Sequence, residues 1–255
     1  MRRGGAGSRR ETGPYAEEVA ACLPGDDLVP GRCIVMDRAA TLPAPPDQVW
    51  PWLVQLGKGR AGWYLPARVE RLLPQRGRGL RRLDPQLQRV RVGDRVPDWG
   101  PGRPEFRAEV VDPPYALVWS SLRQRTRGHR WPPGDRGPSD WAADDLPDDV
   151  LALSWALVLR PELPARPPLP GTRLHLRLRL RSRSRLEPVW RVLGGTVDEF
   201  TVRLLFAGLR ERVRPGGRPP GERASRRTWR RRRRVPRPPR SRPGSRWPSP
   251  RSPRP

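Results

Sequence analysis

The stretch Thr172–Arg181, TRLHLRLRLR, constrains the fold more than any other part of the chain. Leu174, Leu176, Leu178 and Leu180 alternate with Arg173, His175, Arg177, Arg179 and Arg181. A period of two puts the leucines on one face of a strand and the basic residues on the other. Such a strand belongs to a sheet with one face on a core and the other in water, the pattern of an antiparallel sheet. A helix of the same residues would scatter the leucines around its circumference.

Further strands are expected at Cys33–Leu42, Gly93–Trp99, Phe106–Val111, Tyr115–Ser121 and Val150–Leu159, separated by turns rich in Pro and Gly. Leu122–Pro147 reads as a long polar loop. Two short helices are expected between the first two strands. Pro46 sits where a missing N–H costs little, and Val49, Trp52, Leu53 and Leu56 form one apolar stripe ended by Gly57. The second lies within Ala61–Leu73 and starts near Leu65. Thr196-Val197-Asp198-Glu199 fits a capping box, from which Val197, Phe200, Leu204 and Ala207 keep helical spacing to about Val213. The order is that of an α+β domain whose long final helix packs across the concave face of a curved antiparallel sheet.

Composition matters chiefly at the two ends. The chain of 255 residues carries 52 Lys+Arg against 26 Asp+Glu, a formal net charge of +26. Residues 214–255 hold 16 Arg, 11 Pro and one acidic residue, Glu222. They bury almost nothing apolar, so they read as a disordered Arg/Pro-rich tail. Residues 1–21 read as disordered or loosely attached, which leaves 22–213 as the folded domain. Lys58 is the only lysine and asparagine is absent, a signature of GC-rich coding. The arginine excess is therefore weaker evidence for nucleic-acid binding than the charge suggests. No apolar run of membrane-spanning length or signal-peptide form is present, and a cytoplasmic location is expected. Cys22 and Cys33 form no paired motif that would hold zinc.

Several blocks resemble the SRPBCC superfamily. These are LPGDDLVPG (23–31), APPDQVWPWLVQLGKGRAGWY (44–64), PQLQRVRVGDRVP (85–97), GTRLHLRLR (171–179) and FTVRLLFAGLRERV (200–213). More narrowly, they look like a START-like, polyketide cyclase/dehydrase-like branch common in actinobacteria. The resemblance spans about residues 22–213 and is most specific in the block holding Trp50, Trp52, Gly57, Gly62 and Trp63. It departs at Leu65-Pro66-Ala67-Arg68, where the branch continues with a polar, aromatic helix start, and at Val202, where the branch carries methionine. The resemblance implies a helix-grip fold enclosing an apolar cavity between the C-terminal helix and the sheet. It further implies a small hydrophobic ligand, lipid- or polyketide-like, with no cofactor.

On that implied fold, Trp50, Trp63, Tyr64, Trp119 and Trp155 are the candidate lining residues, with Gln55 and Arg60 as polar anchors. Each also has a plain structural role open to it, as core filler or ion-pair partner. No catalytic residue is assigned: His129 and His175 have no nucleophile or metal ligand at a telling spacing, and no P-loop, GxGxxG or HExxH occurs. Asp140, Asp144, Asp145, Asp148 and Asp149 read as a solvated acidic loop. Two alternatives remain open. A cyclase or dehydratase on the same scaffold requires a buried acid–base pair in the cavity, and none is obvious in the sequence. Nucleic-acid or anionic-surface binding depends on Arg230–Arg234 beside Trp229 in the tail.

Overall fold

A computed structural model describes residues 12–29, 31–134, 137–140, 146–162, 171–182 and 195–214. The expectations for residues 1–11, for the tail beyond Arg214, and for the side chains of Thr196, Asp144 and Asp145 lie outside these residues.

The elements are α1 (Ala16–Ala20), β1 (Ile34–Leu42), α2 (Pro46–Gln55), α3 (Ala67–Glu70), β2 (Arg95–Pro97), β3 (Glu105–Asp112), β4 (Ala116–Gln124), β5 (Val150–Glu162), β6 (Gly171–Ser182) and α4 (Gly195–Val213). The strands form one curved, fully antiparallel sheet in the order β1-β6-β5-β4-β3-β2. From β2 onward each strand pairs with the next. The chain passes α2 and α3 between the two edge strands, β1 and β2, and β6 closes on β1 with Leu176 opposite Arg38. A shift of register between Ala108 and Val110 bends β3 against β4.

The inner face of the sheet is continuous across strands because antiparallel register sets like faces opposite each other. Ala108 pairs with Trp119, Trp119 with Trp155 and Trp155 with Leu178. Against this face pack Val49, Trp52 and Leu53 of α2 and Val202, Leu205, Phe206, Leu209 and Val213 of α4. Along α4 the buried stripe is therefore not the expected one, and Phe200 is 65% exposed. Apolar residues lie on several sides of this helix, and the stripe holding Leu205 and Leu209 fits the sheet.

Three other expectations change. β2 is only Arg95–Pro97, since Gly93 closes a turn onto Ala108 and Pro97 has no N–H to extend a ladder. The second helix is a single turn, Ala67–Glu70, begun by Pro66. The basic face of β6 is not in water: Arg173, His175, Arg177 and Arg181 are all buried. Segment 12–29 lies over it and brings acids and carbonyls to the arginines. Arg173 holds Glu18 bidentately at 2.8 Å and its guanidinium lies over the Tyr15 ring. Arg177 donates to Asp26 and Asp37 at 2.8 Å and to the carbonyls of Glu18, Val19 and Ala21. His175 Nε2 lies 2.7 Å from Asp37 Oδ1. Burial pushes the Glu18 and Asp37 carboxyls up. Hydrogen bonds from Arg173 and the Tyr15 amide to Glu18, and from His175 and Arg177 to Asp37, outweigh it and hold both below their ordinary values. Part of the segment set apart as 1–21 is thus tied to the sheet by a buried ionic layer.

Candidate functional site

A cleft of about 300 Å³ opens where α4 stops covering the inner face, near its N-terminal half. Its floor is Trp119, Leu153, Trp155, Leu178 and Leu180 of β4, β5 and β6; Val202 of α4 forms one wall. Val96, Pro97, Asp98, Trp99 and Phe106 line it from β2, the chain after it and β3. Leu56, Gly57 and Trp63 complete it from the loop after α2.

That loop is a compact closure. Gly57 and Gly62 bond to each other in both directions, at 3.3 and 3.0 Å, and both sit at positive φ, +135° and +78°, where a side chain would be strained. The closure delivers Trp63 to the cleft. Its indole donates to the Thr201 carbonyl at 3.3 Å, and its ring stacks on Trp155 with centroids 6.0 Å apart and 18° between planes. Trp99 meets Trp63 edge-on at 5.9 Å, and Phe106 lies 6.2 Å from Trp155. The wall is therefore a continuous set of aromatic rings.

Of the seven candidate residues, Trp63, Trp119 and Trp155 line the cleft. The other four are placed elsewhere. Trp50 packs half-buried against the main core. Tyr64 is fully buried, donates its hydroxyl to the Trp52 carbonyl at 2.9 Å, and has its phenol pKa pushed up by burial. Gln55 donates to the Arg82 carbonyl and accepts from the Asp84 amide and Gln88, which organises the loop before β2. Arg60 donates to the Val54 and Leu87 carbonyls at 3.2 and 2.7 Å, and burial pulls its pKa down. Gln55 and Arg60 hold the backbone of the loops around the cleft.

The charged residues on the cleft wall are Asp98 and Arg123, which sequence reasoning missed. Arg123 Nη2 donates to Asp98 Oδ2, Arg123 Nε donates to Ser121 Oγ at 3.2 Å, and the guanidinium lies 5.5 Å from the centre of the Phe106 ring. Lys58 Nζ donates to the Asp98 carbonyl at 2.8 Å. Both side chains are largely buried, 15% and 17% exposed. Burial pushes the Asp98 carboxyl up against the opposing pull of Arg123, and burial pulls the Arg123 pKa down. The signal was alternation along β4: Trp119, Ser121 and Arg123 share a face, so a charge follows the cleft tryptophan on the inner side. Among the described residues no group of three His, Cys, Asp or Glu is placed to hold a metal, and no helix is long and apolar enough to cross a membrane.

No protein-family model matches the chain, and no curated protein matches it. Solved structures similar to it include a Chromobacterium violaceum protein (14% identity, 71% of this chain and 97% of the other, TM-score 0.39). A Mesorhizobium loti protein matches at 18% identity over 71% and 96%, TM-score 0.34. CalU16 from Micromonospora echinospora matches at 16% identity over 72% and 85%, TM-score 0.31. The α+β architecture stated above rests on this chain's own strand order, register and helix packing.

Proposed function

We propose that this chain is a START-like, helix-grip member of the SRPBCC superfamily that binds a small apolar ligand in the cleft between α4 and the sheet. The observation that carries the reading is the cleft itself. About 300 Å³ is bounded by Trp63, Trp99, Phe106, Trp119 and Trp155, with Asp98 and Arg123 as its charged groups. Pockets of this size and make-up, mostly apolar and aromatic with a few polar groups, are those that hold small molecules. Burial of ligand surface would drive binding, at about 25 cal/mol per Å² of apolar area. The test is thermal unfolding of the full chain with a panel of fatty acids, sterols and fused-ring aromatics. A true ligand at a hundred times its Kd adds about 2.7 kcal/mol, a rise in Tm of about 5–10 °C for a domain of this size. A panel in which no compound raises the Tm overturns the proposal.

One observation favours a second reading, a cyclase- or dehydratase-like activity. Asp98 is a carboxyl with a raised pKa on the cleft wall, and perturbed carboxyls cluster at catalytic sites. Its partner is a guanidinium, which does not exchange protons near neutral pH, so the geometry supports binding better than acid–base catalysis. Turnover of a linear polyketide analogue that is lost in Asp98→Asn would reverse that ranking.

A further inference from the structure

The cleft has two chemically distinct parts. One is the ring wall, where Trp63, Trp155 and Phe106 offer flat apolar surface. The other is the Asp98–Arg123 pair, whose members are the charged residues among those lining the cleft. Neither member of the pair has spent its full hydrogen-bond capacity. Arg123 spends Nη2 on Asp98 and Nε on Ser121, and its Nη1 has no protein partner among the described residues. Asp98 accepts from Arg123 and from the Trp99 backbone amide. Arg123 Nη1 is the donor of the pair without a partner among the described residues, and it lies beside the remaining acceptor sites of the Asp98 carboxylate.

The charge on that donor is already matched. A ligand carboxylate at Nη1 would put a second anion beside the Asp98 carboxylate in a largely buried site, and carboxylates that share a site oppose each other's ionisation. Lys58 is the other cation in contact with Asp98, but it bonds the main-chain carbonyl and does not line the cleft. A neutral oxygen acceptor meets the donor without that repulsion. A hydrocarbon would cover it and leave it unpaired, which a buried polar group tolerates poorly.

We propose that the Asp98–Arg123 pair is the head-group end of the cleft and selects flat aromatic ligands carrying one neutral oxygen acceptor, such as a ketone, over the same rings bearing a carboxylate or no oxygen. This rests on the ligand-binding reading above and adds to it the chemical class of the ligand.

Three near-isosteric probes test it on the full chain by calorimetry: 2-acetylnaphthalene, 2-ethylnaphthalene and 2-naphthoate. The ketone is expected to bind about tenfold to a hundredfold more tightly than the hydrocarbon, the range for a hydrogen bond from a charged donor. Naphthoate is expected to bind at least about tenfold more weakly than the ketone. Removing one member of a buried ion pair strands the other, so the variant of choice is the double exchange Asp98→Leu/Arg123→Met, which replaces both by apolar groups. In it the ratio of ketone to hydrocarbon affinity falls to about one. If that variant fails to fold, the probe series on the native chain decides alone. Hydrocarbon and ketone binding equally well, naphthoate binding best, or a preference that survives the double exchange each overturns the inference while the cleft remains a ligand site. Failure of all three probes to bind overturns the inference, and the thermal-unfolding panel of fatty acids and sterols then decides the ligand-binding reading.

Discussion

Replacing Gly208 by alanine separates two physical effects that act in opposite directions. In an exposed helix the exchange stabilises by about 1 kcal/mol, because alanine costs less backbone entropy. Gly208 is instead where α4 crosses the chain leaving the Gly57–Gly62 closure. A Cβ there would lie 2.5 Å from the Tyr64 carbonyl oxygen, 2.6 Å from the Tyr64 carbonyl carbon and 2.8 Å from the Leu65 nitrogen. These are backbone atoms and cannot rotate aside. To restore an ordinary contact of 3.4 Å the helix must retreat by roughly 0.9 Å. Leu205, Phe206 and Leu209 of the same helix are already fully packed in the core, so a shift of that size drives them against their neighbours and off their preferred rotamers. An overpacking cost of about 3 kcal/mol against a propensity gain of about 1 kcal/mol leaves a net loss of about 2 kcal/mol. For a domain of this size the Tm should fall by about 4–8 °C, measured by circular dichroism at 222 nm on Gly208→Ala and wild type side by side. A Tm unchanged or raised would show that α4 does not sit this close to the Tyr64–Leu65 backbone.

Two further predictions concern the buried charges. Arg212 is buried with Glu70 at 2.7 Å and donates to the carbonyls of Leu65, Gly79, Leu80 and Gly208. Arg212→Met should therefore cost about 3–5 kcal/mol, and a loss below about 1 kcal/mol by denaturant titration would contradict the assigned role. Glu18 has a folded-state pKa below its ordinary value, so its contribution is present above the unfolded pKa and is lost as pH falls through the folded one. Wild type should accordingly exceed Glu18→Gln in Tm at neutral pH, with the gap closing as pH drops below roughly 4. A gap that widens on acidification would refute the buried pairing with Arg173.

Some of this architecture is legible in the sequence and some is not, for identifiable reasons. The Leu/Arg alternation of β6 and the α2 stripe are local patterns whose period names the element and its buried side. The same alternation says nothing about what covers the other side. That side is sealed by Glu18, Asp26 and Asp37, which pair with residues more than a hundred positions later. Trp63, Trp119 and Trp155 border the cleft. Gln55, Arg60 and Tyr64 lie in the same block as Trp63, yet their hydrogen bonds go to main-chain carbonyls and amides of α2 and the loop before β2. A loop folded over a core needs such internal partners, and sequence spacing does not distinguish a donor that meets a carbonyl from one that meets a ligand. Asp98 and Arg123 stand 25 positions apart, and only the pairing of the intervening strands brings them together.

The most direct test is a crystal structure of the full chain grown with 2-acetylnaphthalene. Density for the naphthalene rings is expected against Trp63 and Trp155, beneath Val202, with the ketone oxygen within hydrogen-bonding distance of Arg123 Nη1. Side chains filling that space, or the probe bound only at some other surface, would contradict it.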